Sequence, residues 1–431
     1  MNKVFFLIIA IAFATAGWRQ LTLPPGAPVP PMEALGAAAM TSAQSAVTLG
    51  IGLIGAMALF LGVMKVAEAA GVMRAVARLL RPLLIRLFPD VPPDHPAMGA
   101  MVMNVAANML GLSNAATPFG VRAMQELDRL NPRKGTATDA MVLFLAVNTA
   151  NVTLLPTHVM ALRTAIGSHD PAAIIPTTLF ATIGSTGLAV LFAKLGARWF
   201  PADAPAWSDA PAEPPPPDTA PPAADDIHSA QPYPVWAQML ALGLVAAIIP
   251  VTIAWGRTLS PWIIPGLIVA ALGYGLCRRV PVYEAFVEGA KDGVSISLRI
   301  IPYLVAILAA VGMFRDSGAM ELILAPIGRV TAQIGLPPEA LSMAVLRTLS
   351  GSASFGYLAS LLQDPAIGPD SYLGVLVSTI YGSSETTFYV LAVYFGAIGV
   401  RRIRHALIAG LLADLGGVAF AVIICRWLYG G

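Results

Sequence analysis

This sequence has little charge and almost no cysteine, and both shortages exclude whole classes of protein. Lys, Arg, Asp and Glu make up 12% of its 431 residues, about half the share that is typical of a soluble protein. A net charge of +2 gives no support for a nucleic-acid partner. The two cysteines form neither a CxxC pair nor a metal-spaced cluster with histidine, so no metal site is expected.

The sequence also lacks the chemical motifs of common enzymes. No phosphate-binding loop and no dinucleotide fingerprint occurs, which argues against a built-in ATPase and against a bound cofactor. No nucleophile stands beside a base in a pattern that suggests catalysis. We therefore expect a protein that is not an enzyme, has no cofactor, and works with a gradient or by equilibration.

Hydrophobic residues dominate the chain instead. They form 57% of it, and the mean hydropathy is +0.73. Apolar runs near the length of about 20 residues that crosses a bilayer recur throughout, so the sequence predicts an all-α polytopic membrane protein embedded in lipid. Residues 4–17 are interpreted as an uncleaved first helix, with a signal peptide as the alternative. The other expected spans are 44–66, 139–162, 172–195, 235–255, 261–277, 294–314, 371–399 and 406–427.

One apolar run, residues 98–129, is interrupted by amides, glycines and a proline. Gly and Pro loosen a helix and free backbone groups, which then need partners. We interpret the run as a re-entrant hairpin whose half-helices meet at residues 111–114. Broken helices of this kind form midplane sites in secondary transporters, although a polar helix contact is the alternative. The candidate binding residues here are Asn104, Asn108, Ser113, Asn114 and Thr117.

Three further segments carry polar residues within apolar runs: 139–162, where a second broken or kinked helix is expected, 336–362, which is expected to be a second broken segment, and 371–399. The last contains Glu385, and a carboxylate at bilayer depth costs roughly 3 kcal/mol to insert. We expect Glu385 to be protonated, to pair with a cation or to bind substrate, with a structural pair to Arg347 as the alternative. The candidate residues are Asn148, Asn151, Thr153, Arg347, Ser350, Ser352, Ser354, Ser383, Ser384, Glu385 and Thr386.

The acidic, Pro/Ala/Asp-rich segment 200–234 reads as a linker between two membrane halves, 1–199 and 235–431. Each half contains the same features in the same order: an amphipathic helix, a proline pair, a broken segment that ends in Phe-Gly, and a span with a polar centre that ends in Ala-Ile-Gly. The distribution of Lys and Arg places the N-terminus and the linker in the cytoplasm. On that basis the first hairpin enters from inside and the second from outside, which predicts two inverted-topology repeats with broken or re-entrant helices.

Residues 92–120, 146–156 and 382–405 carry long motifs that resemble a known family. The first half is similar to spore maturation protein A and the second half to spore maturation protein B, so the chain looks like a fusion of the two. The resemblance implies a gate domain, which is also present in nucleoside transporters and in the membrane part of bacterial ferrous-iron transporters. It therefore implies a transport or gating protein.

These observations predict an inner-membrane transporter or gate for a small polar solute, with a coupling ion or a homo-oligomer left open. The asparagines would supply hydrogen bonds, and Glu385 would supply charge or a proton. The rival interpretation is a non-transporting membrane scaffold for envelope or spore-maturation partners. In that case substitution of Glu385 or of the asparagines would impair folding rather than flux.

Overall fold

A computed structural model describes residues 2–22, 30–200 and 262–430, with isolated positions between 233 and 247. Most of the predicted linker and of the expected span 235–255 lies outside the described residues. The side chains of Ser113 and Asn114, two candidate binding residues, are also outside them. The other side chains not described within the helices are those of residues 2–4, 115, 320–321, 324–325 and 329.

The described residues are helical, and no β-strand occurs among them. The helices before the linker are α1 (Asn2–Thr22), α2 (Pro31–Ala69), α3 (Val72–Leu87), α4 (Pro96–Met109), α5 (Ser113–Arg129), α6 (Asp139–Thr149), α7 (Thr157–Ala165) and α8 (Ile174–Trp199). Those after it are α9 (Trp262–Cys277), α10 (Val282–Asp316), α11 (Ala319–Thr331), α12 (Pro338–Leu349), α13 (Gly351–Gln363), α14 (Tyr372–Gly382), α15 (Thr387–Gly396) and α16 (Ala406–Tyr429).

Five of these helices are long and apolar enough to cross a membrane: α1, α2, α8, α10 and α16. Many of their large apolar side chains are exposed, as expected where lipid rather than water surrounds a helix. The prediction of an all-α polytopic membrane protein is confirmed.

The element order of α2–α8 recurs in α10–α16: a long helix, an amphipathic helix, a helical pair, a broken helix and a final helix. Corresponding long helices pack antiparallel. On α2 and α10, Gly62 lies against Phe286 and Gly50 against Ile301. A methyl group added at Gly293 would lie 2.6 Å from the Ala58 Cα, so these helices approach backbone to backbone. An inverted repeat requires such antiparallel pairs, and the inverted relation itself stays a prediction.

Three segments differ from expectation. The span expected at 294–314 is part of a longer helix, α10, which already begins at Val282; Gly289 and Gly293 lie inside it and pack on α2. Helix α2 begins at Pro31 rather than at 44. The single span expected over 371–399 is divided into α14 and α15.

Two ion-pair networks, each with a buried arginine side chain and a partly exposed carboxylate, join the halves at opposite ends of the broken helices. In the Arg163 clasp, the buried guanidinium at the end of α7 donates to Asp370 Oδ1 at 2.9 Å and to the Pro369 carbonyl at 2.6 Å. In the Arg404 clasp, the guanidinium beyond α15 donates to Asp139 Oδ1 at 2.6 Å. Each clasp therefore links the end of one half's broken helix to the start of the other's.

Acidification should release the Arg163 clasp. Burial opposes ionisation of Asp370, but hydrogen bonds from Ser168 and His169 and the charge of Arg163 outweigh it, so the pKa of this carboxyl lies below its usual value of 3.8. The resulting stability is present above the unfolded-state pKa and is lost as pH falls through the folded-state pKa. We expect the melting temperature to decrease once the pH is lowered below about 4. The decrease should be smaller in Asp370→Asn. The same acid dependence in both proteins would contradict this.

Candidate functional site

The first break lies between α4 and α5, at residues 110–112. Gly111 has a φ of +72°, which a side chain rarely adopts. The amide of Leu154, in the next break along the chain, donates to the Met109 carbonyl at 2.9 Å. The tip of the first hairpin is therefore fixed to the break between α6 and α7.

Replacing Gly111 with alanine should destabilise this junction by about 1–3 kcal/mol. Two causes add, since the backbone has a positive φ and the new methyl would lie 2.6 Å from the Leu155 carbonyl oxygen. Gly187→Ala in α8 is the matched control, because nothing lies within 4 Å of its added methyl. Thermal unfolding of the two variants checks the prediction, and equal melting temperatures would refute it.

The second break, residues 150–156, leaves backbone groups without helical partners, and threonines of α8 supply them. Thr186 Oγ1 donates to the Ala150 carbonyl, and the Thr153 amide donates to Thr182 Oγ1 at 3.3 Å. Threonines in an apolar span are commonly helix-packing residues. Thr182 and Thr186 instead fix the conformation of the non-helical backbone in this break through their hydrogen bonds.

The third break is a single residue, Ser350, whose extended backbone separates α12 from α13. Its side chain caps α13 by accepting from the Ala353 amide at 3.2 Å. Ser352 contacts the Ser350 hydroxyl at 3.4 Å, and the Ser354 hydroxyl donates back to the Ser350 carbonyl at 2.8 Å. The serines of this segment are thus engaged mainly in shaping the break.

The fourth break, residues 383–386, joins the other three. The Glu385 amide donates to the Thr149 carbonyl at 2.9 Å, which connects the broken helices of the two halves. A methyl on Gly351 would lie 3.1 Å from Thr386 Oγ1, so the third break lies against the fourth. Ser383 Oγ donates to the Ile380 carbonyl at 3.1 Å. All four breaks therefore form one contiguous region.

A charged pair lies in this region. Arg347 Nη2 is 3.5 Å from Glu385 Oε2, and Arg347 Nε donates to the Ser384 carbonyl at 2.8 Å. The guanidinium also covers the Tyr381 ring at 4.2 Å. The Arg347 side chain is 8% exposed and that of Glu385 is 44% exposed, so the carboxylate faces open space while the guanidinium is enclosed.

The asparagines form a connected network. Asn108 Nδ2 donates to Asn148 Oδ1 at 2.9 Å, and Asn151 Nδ2 donates to the Asn148 carbonyl at 3.3 Å. Thr153 Oγ1 donates to Asn151 Oδ1 at 3.1 Å. Asn104 is fully buried and donates to the Ala116 carbonyl across the first hairpin at 2.8 Å, which favours a structural role for it.

Two functional candidates escaped sequence reasoning. The Tyr394 hydroxyl lies 3.2 Å from Asn104 Nδ2 and donates to Asn148 Oδ1 at 3.3 Å, and nothing in the sequence links these residues. Asp414 is 7% exposed and lies within α16. A carboxylate inside the apolar run 406–427 was the signal that could have found it. Thr117, by contrast, lies partly buried in α5, and no hydrogen bond among the described residues joins it to these networks.

A cavity of about 270 Å³ lies beside the first break. It is bounded by the hairpin tip and the start of α7 on one side and by polar residues of α2 and α10 on the other. The lining includes Lys65, Glu68, Gly111, His158 and Asp292. The first break contributes Gly111 and Leu112 to this lining, and none of the binding residues predicted from the sequence is part of it.

A family model described as Gate, nucleoside recognition, matches residues 50–198 and 297–401, more than half of the chain. The chain belongs to the Gate family. Both matched ranges of this Gate family member contain a hairpin and a broken helix, so the family signature covers all four breaks.

The Gate family member is similar to two proteins of Bacillus subtilis. It is 45% identical to spore maturation protein B over 172 residues, 40% of this chain and 96% of that protein. It is 44% identical to spore maturation protein A over 146 residues, 34% of this chain and 74% of that protein. The two matches cover different parts of the chain, which confirms its resemblance to a fusion.

Two solved transporter structures align with nearly the whole chain. CNTnw, in an inward-facing substrate-bound state, aligns over 99% of this chain and 91% of its own at 15% identity, with a TM-score of 0.45. The YdaH transporter of Alcanivorax borkumensis aligns over 98% of this chain and 97% of its own at 14% identity, with a TM-score of 0.38. At these scores neither likeness bears on function.

Proposed function

We propose that this Gate family member is a transporter or gate for a small polar solute, which binds where the four breaks meet. One observation carries the proposal: the hydrogen bond from the Glu385 amide to the Thr149 carbonyl. It brings the unwound backbone of both halves into one region. Secondary transporters bind their solutes at such junctions of discontinuous helices.

The chemistry of the region suits an uncharged or zwitterionic polar solute. Amides both donate and accept, and Asn108, Asn148 and Asn151 now satisfy one another. Hydrogen bonds to a solute could replace these bonds at little net cost in free energy, since a typical hydrogen bond contributes only about 1 kcal/mol. Glu385, paired on one side with Arg347, keeps an exposed carboxylate for a donor group of the solute. The family's description makes nucleosides the first class to test.

The arrangement in the membrane is part of the same proposal. The two halves are inverted repeats that lie in an inner membrane, with the N-terminus and the linker in the cytoplasm. The antiparallel pairing of α2 with α10 supports this. So do the clasps at the two ends of the broken helices, because alternate opening of one end and the other would need separable contacts at each end.

Ligand-dependent thermal unfolding of the purified full chain tests the proposal. Nucleosides, amino acids and dicarboxylates are added singly to the wild type, to Asn108→Ala and to Gln44→Ala, an exposed amide on α2 that serves as control. A bound ligand adds stability of RT ln(1 + [L]/Kd). We expect one class to raise the melting temperature of the wild type and of Gln44→Ala, and to raise that of Asn108→Ala less.

Uptake of the stabilising solute into proteoliposomes then separates transport from binding. Flux that exceeds that of empty liposomes supports the proposal. If no solute class stabilises the protein or crosses the membrane, the proposal is wrong and the scaffold interpretation replaces it.

A further inference from the structure

The carboxyl group of Asp414 lies inside α16 and faces the third and fourth breaks. Its Oδ2 accepts from Thr387 Oγ1 at 2.6 Å and from Thr348 Oγ1 at 3.4 Å. Its Oδ1 is buried and has no hydrogen-bond partner among the residues that the structure describes. A buried polar atom without a partner is costly, so this oxygen points to a group that the protein alone does not supply.

The charges of the cluster do not balance. The guanidinium of Arg347 donates to the Ser384 carbonyl and pairs with Glu385. Arg347 is therefore already paired with a carboxylate, and no salt bridge among the described residues includes Asp414. A single excess negative charge enclosed in protein at membrane depth requires a compensating positive charge.

A cation fits this position better than a proton does. A proton on Asp414 would cancel the charge, yet Oδ1 would still have no partner atom. A cation beside Oδ1 would supply both the charge and the contact. The neighbouring oxygens are of the kind that hard cations prefer: one carboxylate and the hydroxyls of Thr348 and Thr387.

We propose that Asp414, Thr348 and Thr387 form a binding site for a monovalent alkali cation of the size of Na⁺. One excess charge matches one monovalent ion, and the described residues contain no cluster of three acidic, His or Cys ligands that would suit a divalent metal. Its role as a coupling ion for the solute rests on the proposed function, whereas binding of the cation does not.

Thermal unfolding of the full chain in detergent tests the site without a solute. NaCl, LiCl or KCl replaces choline chloride at constant ionic strength, and the melting temperature is followed against the cation concentration. We expect a saturable rise for the wild type, strongest with one alkali cation. The half-saturating concentration should increase on the order of tenfold or more in Asp414→Asn, which corresponds to at least about 1.4 kcal/mol.

Two further variants keep the test decisive. Asp90→Asn removes an exposed carboxylate far along the chain and should respond as the wild type does. Thr387→Val keeps the Asp414 charge but removes one hydroxyl, so it should weaken the response even if Asp414→Asn does not fold. Direct binding of ²²Na⁺ to the same proteins provides an independent readout.

Several results would overturn the site: a wild type that melts alike in every salt, an unaltered response in both Asp414→Asn and Thr387→Val, or a response to pH alone. Cation binding without flux of any solute would leave the site intact and refute the proposed function. Solute flux that is independent of the cation and unchanged in Asp414→Asn would support the proposed function and refute the role of the cation as a coupling ion.

Discussion

Replacing Arg163 with glutamine is expected to destabilise the protein far more than the loss of any exposed ion pair. Arg163 is fully buried, and its guanidinium donates to Asp370, to Ser168 and to the carbonyls of Pro369 and Asp170. Loss of the guanidinium leaves several acceptors without their donor, and each one that stays buried costs about 1–3 kcal/mol, whereas the Asp370 carboxylate is 34% exposed and becomes hydrated. The cost should appear as a large fall in melting temperature.

Two variants show whether the loss comes from this geometry. Arg163→Lys keeps the charge but cannot form the planar fork of hydrogen bonds, so it should recover only part of the stability. Arg315→Gln removes an arginine that is 52% exposed and pairs with the partly exposed Asp316 and Asp364, and it should change stability by about 1 kcal/mol or less. If Arg163→Gln melted together with Arg315→Gln, the clasp would not hold the halves together.

Glu385→Gln should have the largest effect on function. Loss of a hydrogen bond to a charged group is worth about 1.5–3 kcal/mol, so binding of the stabilising solute should weaken by about 10- to 100-fold, and flux should fall with it. The effect on stability should be small, within about 1 kcal/mol, because the Glu385 side chain is 44% exposed and Arg347 keeps its bond to the Ser384 carbonyl.

Glu288→Gln is the matched control, since its carboxylate is 69% exposed and pairs only loosely with Lys65 at 3.7 Å. Both variants are compared with the wild type in solute-dependent unfolding and in proteoliposome uptake. A folded Glu385→Gln with undiminished binding would place the site elsewhere. A Glu385→Gln that melts far below the control without any solute effect in the wild type would favour the scaffold interpretation.

Much of the architecture could be predicted from local sequence. Gly111 with its neighbouring asparagines predicted the first hairpin, and the run from Asn148 to Pro156 predicted the second break, because Gly, Pro and Asn act on the backbone within a few residues. The pairing of Arg347 with Glu385 was foreseen as the structural alternative, and the two side chains do lie together.

The features that escaped prediction depend on distant partners. Gly289 and Gly293 weaken an isolated helix, but in α10 they allow close packing against α2. Asp414 is held by Thr387 and by Thr348, which lies 66 positions away. The spacing of residues in the sequence does not reveal such contacts. The sequence therefore shows that a carboxylate lies within an apolar run, but not which side chains surround it.

The long contact between α2 and α10 has a consequence for biosynthesis. Helix α2 ends at Ala69, and α10 begins at Val282, so its partner is not yet made when α2 leaves the ribosome. At about 5–20 residues per second, the intervening chain takes roughly 10–40 s to synthesise. During that interval the glycine-lined face of α2 has only lipid or the insertion machinery to cover it. The late-made half therefore completes the early-made one, and truncation after the linker should leave an insertion intermediate rather than a smaller working protein.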